Sequence, residues 1–321
     1  MVLARPEAET LRSAIGSAQH APSVHNSQPW RWEVDGATVR LYADPSRHLV
    51  ATDPQGRALM LSCGTALHHL RVALAARGWA SRVRHLPEPG DPLRLAELTL
   101  EPRQPERDDI ELAAAIAHRR SDRRRFRSGR IPSLRTWAAA EYARRFGADV
   151  CTLGEDERAR LAPMFRTAAR EHAQDALYQV ELATWSGHDG ETGDGVPARN
   201  AAPIHTDDQL PGRAFANPAL IDPAARPDGA EWLAVCTEAD DRVDELRAGE
   251  ALSALLLSAT RLGLATCVQT EPLGVVELRE RMRHSVCGDA YPQALVRTGV
   301  PLGAAPLPET PRRGVDEVAG P

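Results

Sequence analysis

The chain has 321 residues, with 39 basic and 44 acidic side chains and a net charge of −5 at pH 7. This balance argues against a general nucleic-acid binder, whose domain is usually strongly basic. All 39 basic residues are arginine, which excludes chemistry that needs lysine, such as Schiff-base formation or a P-loop.

The cysteine pattern indicates neither a disulfide framework nor a zinc site, because five cysteines lie far apart with no Cys-x-x-Cys pair. The N-terminal stretch has no long apolar run of the kind that marks a secretory signal. No stretch approaches the roughly 18 consecutive apolar residues of a membrane span. We therefore expect a cytoplasmic protein with no membrane partner.

The first half alternates helical and strand patterns, with Asp35-Gly36 as a strong hairpin signal. Glycine after an apolar helix is typical of a helix end. The predicted elements are a helix over Ala8–His20, two strands within Trp30–Ala43, a helix from about Pro54 to Arg77 ended by Gly78, and strands at Ser81–Leu86 and Leu93–Leu100.

The second half repeats this layout. After a predicted helix over Ile110–His118, an apolar helix over Leu246–Leu262 ends at Gly263 and leads into the strand patterns LATCVQT and PQALVRTGV. Comparing Arg57–Ala80 with Arg247–Ala265 indicates a degenerate internal duplication, although two Ala/Leu helices can also look alike by composition alone. Two joined copies would form the pseudo-two-fold assembly that homodimers form from separate chains.

The polar, proline-bearing stretch Arg103–Arg107 divides the chain into halves at 1–106 and 107–321. Within the second half, Ser186–Gly229 is rich in Gly, Pro and Asp and is longer than a connection requires. Trp185, Phe215 and Leu220 give it apolar anchors. It is interpreted either as a lid folded over a site or as a mobile surface insert.

Two strings carry the most specific polar chemistry. APSVHNSQPWRW, at Ala21–Trp32, offers hydroxyl and amide groups that match the edge of a heterocycle, although an ordinary turn has the same composition. HRRSDRRRFRSGR, at His118–Arg130, has seven arginines against one aspartate and suits an anionic group such as a phosphate. The alternatives are a solvated charged face or a nucleic-acid patch, which the net charge and the scarcity of aromatics disfavour.

Together with the terminal PRRGVDEV, these strings resemble the nitroreductase superfamily of FMN flavoproteins, and within it the Acg branch of fused, single-chain pseudo-dimers. The resemblance covers about residues 10–318. It implies an α+β nitroreductase fold, with mixed and antiparallel sheets flanked by helices. It also implies a monomer with internal pseudo-two-fold symmetry that acts on a small-molecule substrate.

The order of the strings is reversed relative to ordinary members of the family. There, the arginine string precedes the Asn-Gln string, and one FMN is gripped by the first string of one subunit and the second string of its partner. Here each half keeps one of the two strings, so one complete site per chain is expected.

The resemblance assigns cofactor contacts residue by residue. The arginine string would hold the ribityl phosphate and the pyrimidine edge, the Asn-Gln string would face the ring and ribityl chain, a turn would reach N5 and O4, and a terminal pair would contact phosphate. In that order the residues are Arg119, Ser121 and Arg123; Pro22, Ser23, Asn26 and Gln28; Thr270 and Glu271; and Arg312 and Arg313. The arginine string departs from the ordinary motif by one extra residue before Phe126 and by arginine where lysine is common.

The implied chemistry is hydride transfer carried by the cofactor, with NAD(P)H as a possible donor and no assigned catalytic residue. A fixed cation near flavin N1 and O2 stabilises the anionic reduced form, and Arg123 is the candidate. His25 could donate a proton or be structural, and Cys267 could be redox-active or a buried filler. A metal at His68-His69, or at His205, Asp207 and Asp208, is disfavoured against ordinary structural roles.

Three functions follow as hypotheses. The first is an FMN-dependent oxidoreductase acting on a small conjugated substrate, such as a nitro compound, a quinone or a natural product. The second is an FMN-sequestering or storage protein whose lid blocks turnover. The third is a nucleic-acid or phospho-ligand binder without flavin.

Overall fold

The computed structural model describes residues 5–129, 133–205, 207–222, 228–303 and 306–320. In the first half the elements are α1 (Ala8–Ala18), β1 (Trp30–Asp35), β2 (Thr38–Ala43), α2 (Arg57–Ala75), β3 (Trp79–His85) and β4 (Arg94–Pro102). In the second half they are α3 (Arg107–His118), α4 (Ser133–Arg144), β5 (Asp149–Leu153), α5 (Glu155–Gln174), α6 (Ala176–Thr184), β6 (Glu231–Thr237), α7 (Arg242–Arg261), β7 (Ala265–Gln269), α8 (Val276–Val286), β8 (Tyr291–Gly299), α9 (Val315–Val318) and β9 (Ala319–Gly320).

The predicted helices and strands are confirmed to within about four residues at their ends. The hairpin is also confirmed, because β1 and β2 pair antiparallel and Gly36 supplies a φ of 59° in the turn. The sequence predicts no element between 133 and 237, where α4, β5, α5, α6 and β6 lie.

Two sheets have the same internal order of strands. The first runs β3-β4-β2-β1-β9 and the second runs β5-β6-β8-β7, so 3-4-2-1 in one half matches 7-8-6-5 in the other. The C-terminal β9 returns to the first sheet and pairs parallel with β1, placing Ala319 opposite Trp32. The α+β class with mixed and antiparallel sheets is therefore confirmed, whereas the division at 106/107 stays a prediction.

Helices α2 and α7 cross between the two sheets at a pair of glycines. A Cβ on Gly64 would lie 2.1 Å from the carbonyl oxygen of Leu246, and one on Gly249 would lie 2.2 Å from that of Leu61. The contact is reciprocal, as expected for two related halves. It aligns Gly64 with Gly249, the same offset that relates the two predicted helix-end glycines Gly78 and Gly263, and it matches the helix starts Arg57 and Arg242.

By length and hydropathy alone, α2 could cross a membrane. In the folded chain, however, 83% of its most apolar window is buried, including Leu67, Leu70 and Leu74. This burial is that of a core helix.

Candidate functional site

The Asn-Gln string forms a strained turn between α1 and β1. His25, Asn26 and Gln28 have φ values of 50°, 56° and 49°, in the left-handed region that residues other than glycine seldom occupy. All three side chains are buried. Strain of this kind persists where the surroundings enforce it, and it is concentrated at functional sites.

Beside this turn lies a cavity of about 1060 Å³, a volume that includes its open mouth. Its walls come from the turn, from α2 and α7, from the arginine string, from the end of β7 and from nine residues between Ala202 and Phe215. Five residues predicted for the site line it: Pro22, Ser23, Ser121, Arg123 and Thr270.

Asn26 and Gln28 do not line the cavity but bind two chain segments to the turn. The Asn26 amide donates to the backbone oxygens of Gly195 and Pro311, at 3.0 Å each. The Gln28 amide donates to Gly193 at 2.9 Å and accepts from the backbone N–H of Arg313 at 2.9 Å. The turn therefore joins the segment that contains Gly193 and Gly195 to the C-terminal segment that contains the basic pair.

Arg119 and Arg312 are brought together, outside the cavity wall, by the chain just before this turn. Both guanidinium groups donate to the carbonyl oxygen of His20, at 3.2 and 3.4 Å, and Arg312 also donates to the Asn26 side-chain oxygen at 2.8 Å. Neither forms an ion pair with a carboxylate in the described ranges, and the Nε atom of each is buried without a hydrogen-bond partner there.

This cluster carries uncompensated positive charge. Burial, followed by the charges of Arg120 and Arg123, lowers the pKa of Arg119 to about 10, and burial with Arg119 and Arg120 lowers that of Arg312 to about 9. Burial, followed by the charges of Arg312, Arg120 and Arg119, lowers the pKa of His20 to about 4. Buried cations without partners are costly, so the cluster is suited to an anion.

Arg313 and Glu271 also lie outside the cavity wall. Arg313 donates to the carbonyl oxygens of Gln28 and Glu317, at 3.1 and 2.9 Å. The Glu271 carboxylate lies 3.3 Å from Nδ1 of His172. Their predicted contacts with a cofactor stay predictions.

Arg123 is held inside the cavity without an ion pair among the described residues. Its guanidinium donates to the carbonyl oxygen of Asn200 at 3.0 Å and lies 4.8 Å from the ring centre of Phe215. Burial lowers its pKa. This cation is therefore desolvated and fixed beside the space where a ligand would lie.

Two other arginines of the string, Arg124 and Arg125, are neutralised by carboxylates. Arg124 pairs with Asp122 at 2.8 Å, and Arg125 pairs with Asp208 at 2.8 Å and with Asp207. From β8, Arg297 pairs with Asp228. The sequence shows that 186–229 is rich in aspartate. No local pattern identifies the distant arginines with which these aspartates pair.

Sequence reasoning also misses Arg213 and Arg297 in the cavity wall. Arg213 lies within 186–229, and its Nη1 lies 2.6 Å from Nε2 of His25. Burial, with Arg213 and Arg123, holds the pKa of His25 well below its usual value. His25 is therefore a neutral wall residue.

The chain is 44% identical over 318 residues to the NAD(P)H nitroreductase Rv3131 of Mycobacterium tuberculosis, covering 98% of this chain and 92% of that protein. It is 38% identical over 322 residues to the NAD(P)H nitroreductase Acg of the same organism, covering 97% and 95%. Each of these two relatives is named a putative NAD(P)H nitroreductase. The chain belongs to the nitroreductase family.

Among solved structures, the FMN-dependent nitroreductase NfnB from Mycobacterium smegmatis in complex with NADPH is similar over 64% of this chain and 96% of its own, at 19% identity and a TM-score of 0.41. A nitroreductase with bound FMN from Bacteroides fragilis is similar over 63% and 95%, at 16% identity and a TM-score of 0.39. No family model matches the chain.

Membership of the nitroreductase family confirms the predicted resemblance, including its Acg branch, and the predicted oxidoreductase class.

The adjacent histidines His68 and His69 lie where α2 packs against α7. Nδ1 of His68 lies 2.7 Å from the hydroxyl of Ser253, and Nδ1 of His69 lies 3.0 Å from the carbonyl oxygen of Thr65. Both rings therefore have structural hydrogen bonds within the α2–α7 interface, and no cluster suited to a metal occurs in the part of the chain that is described.

Proposed function

We propose that this nitroreductase-family protein is an FMN-dependent oxidoreductase that exchanges a hydride between NAD(P)H and a small conjugated substrate. The observation that carries the cofactor is the pair Arg119 and Arg312, whose buried Nε atoms have no hydrogen-bond partner and whose guanidinium groups pair with no carboxylate among the described residues. A phosphate monoester supplies the oxygens and the charge that these donors lack.

The residues present fit FMN in charge and in apolar surface. The cation cluster lies at the chain segment leading to Pro22 and Ser23, which line the cavity. Beyond it, Leu61, Leu252 and Val268 give the wall apolar surface for a planar ring. FMN, when bound, supplies hydride chemistry at its N5 atom.

The chain's own residues would then position the flavin and stabilise negative charge that develops beside them. Arg123, desolvated against Phe215, is placed to stabilise negative charge that develops inside the cavity. Thr270 directly follows β7 and lines the wall, at the place where the family resemblance implies backbone contacts to the ring. The apolar side chains of the wall exclude water, and this strengthens the electrostatic interactions of Arg123 and of the backbone at Thr270.

We further propose one flavin site per chain, in a monomer. The cavity takes Pro22 and Ser23 from the first half and Ser121, Arg123 and Thr270 from the second. The equivalent place in the other half would lie beside Glu250, since Glu250 stands in α7 where Thr65 stands in α2 in the Gly64–Gly249 alignment. That carboxylate is buried and bonds to Arg71 and to His85, which supports loss of a second site.

The storage alternative is favoured by a specific observation: residues 202–215 of the predicted lid form part of the cavity wall, including Leu210 and Phe215. A lid that stays closed would slow exchange of donor and substrate. The nucleic-acid hypothesis loses support, because Arg119 and Arg125 are buried and such binding relies on exposed cations.

Anaerobic stopped-flow reduction of the FMN-loaded protein tests the proposal. An oxidoreductase is reduced by NADH or NADPH and reoxidised by a nitroaromatic or quinone within the same mixing series. A storage protein is reduced by dithionite but not by either nicotinamide. A protein that binds no FMN contradicts both.

A further inference from the structure

Arg213 and His25 are hydrogen-bonded to each other on the cavity wall. Arginine has only donors, so Nε2 of His25 must accept from Arg213 across their 2.6 Å contact. A neutral imidazole then carries its proton on Nδ1. That Nδ1 atom is buried and has no hydrogen-bond partner in the described ranges.

The charge on this side of the cavity is also unbalanced. Of the four arginines in the described wall, Arg125 and Arg297 pair with aspartates, whereas Arg123 and Arg213 pair with no carboxylate that the structure describes. Asp208 is the wall's carboxylate and belongs to Arg125. The wall therefore has two guanidinium charges that an anionic ligand could balance.

The neighbouring surface is apolar. The Phe215 ring stands edge-on to His25, with 5.6 Å between ring centres, and Ile204 and Leu210 complete this part of the wall. A ligand that satisfies both the donors and this surface has a conjugated ring and an anionic oxygen group.

We propose that the substrates of this site are small conjugated acids, with a carboxylate or a similar oxyanion held by Arg213. The inference rests on the proposed function, in which Arg123 serves the flavin and Arg213, from the lid, serves the substrate. His25 is a positioning residue: it holds Arg213 by accepting its hydrogen bond.

The test compares the binding of 4-nitrobenzoate with that of 4-nitrobenzamide, which has the same ring and nitro group but no charge. Titration calorimetry of the FMN-loaded protein without a nicotinamide requires no turnover. A charge-assisted bidentate contact predicts that the acid binds about tenfold more tightly than the amide. Equal affinities for the two probes would overturn the proposal.

Arg213→Gln is expected to bring the two affinities within about twofold by weakening the acid alone, and Arg213→Lys to retain part of the preference. Arg170→Gln, which removes one exposed charge from α5, is the matched control and should keep it in full. If Arg213→Gln fails to fold, the comparison of Arg213→Lys with Arg170→Gln decides: a weaker acid preference in Arg213→Lys alone supports the contact, and an equal preference in the two variants contradicts it.

The flavin content of each variant separates this proposal from the proposed function. If Arg213→Gln loses FMN while any remaining acid preference persists, Arg213 serves the flavin and the substrate proposal is wrong. If the wild type binds no FMN, the proposed function fails, and calorimetry of the flavin-free protein still shows whether Arg213 selects acids.

Discussion

The guanidinium groups of Arg119 and Arg312 donate to one shared acceptor, the carbonyl oxygen of His20, at 3.2 and 3.4 Å. Two cations from opposite ends of the second half, one buried and one half-buried, thus lie side by side without a carboxylate among the described residues. An arrangement with this much repulsion is stable only when packing enforces it, and it becomes favourable when an anion binds.

Arg119→Ala should therefore weaken FMN binding about tenfold or more, because a hydrogen bond to a charged group contributes about 1.5–3 kcal/mol. Ser121→Ala should weaken it by less, since a neutral hydroxyl donates. Arg135→Ala, an exposed change on α4, is the control. Fluorescence titration with FMN measures all three, and equal losses in Arg119→Ala and Arg135→Ala would indicate general charge instead of a phosphate site.

The glycine crossing predicts large effects from one methyl group. Gly64→Ala and Gly249→Ala would each place a Cβ within 2.2 Å of a backbone oxygen, so α2 and α7 must separate, at a cost of about 1–3 kcal/mol or more. Gly16→Ala, in α1, meets its nearest atom at an ordinary 3.4 Å and gains helix propensity. Thermal unfolding should show lower Tm for the first two and an unchanged or higher Tm for the control. Equal Tm values throughout would contradict the close approach.

How much the sequence could predict depended on how local each signal was. The Asp35-Gly36 hairpin and the leucine-rich helices carry their structure in adjacent residues, and they were predictable. The partners of Arg125 and Arg297 are aspartates far along the chain, and no spacing rule relates them. Asn26 and Gln28 were recognised as important, but their bonds to Gly193, Gly195 and the C-terminal pair required the fold.

Buried neutral histidines predict a loss of stability in mild acid. The pKa is lowered to about 4 for His20 and to about 3 for His68, in both cases chiefly by burial. The unfolded chain takes up protons near pH 6.5 while the folded chain does not, so the free energy of unfolding falls as the pH drops from 6.5 towards 4.

Urea unfolding at pH 7.5 and pH 5.0 measures this loss. His20→Gln should reduce the difference between the two pH values, whereas His284→Gln, an exposed change at the end of α8, should leave it nearly unchanged. A wild-type protein equally stable at both pH values would contradict neutral buried histidines.

The ion pairs of Arg125 predict control of access to the cavity. Asp207→Asn combined with Asp208→Asn removes two carboxylates that fasten the predicted lid to the arginine string. Losing about 1 kcal/mol from such partly exposed pairs would raise the open population about fivefold. Reduction of bound flavin by NADPH should accelerate relative to reduction by dithionite.

Glu191→Gln is the control, since this exposed side chain lies in the same segment but outside the cavity wall. A ratio of NADPH to dithionite rates that stays constant in the double variant, with FMN still bound, would identify 186–229 as a surface insert.

The most direct measurement is the molar ratio of extracted FMN to chain, taken together with the mass of the native protein. A single composite cavity, with Glu250 bonded to Arg71 and His85 at the corresponding place in the other half, predicts a ratio near one in a monomer of 34.9 kDa. A ratio near two would contradict the single site, and a ratio near zero after reconstitution with excess FMN would contradict a flavin site altogether.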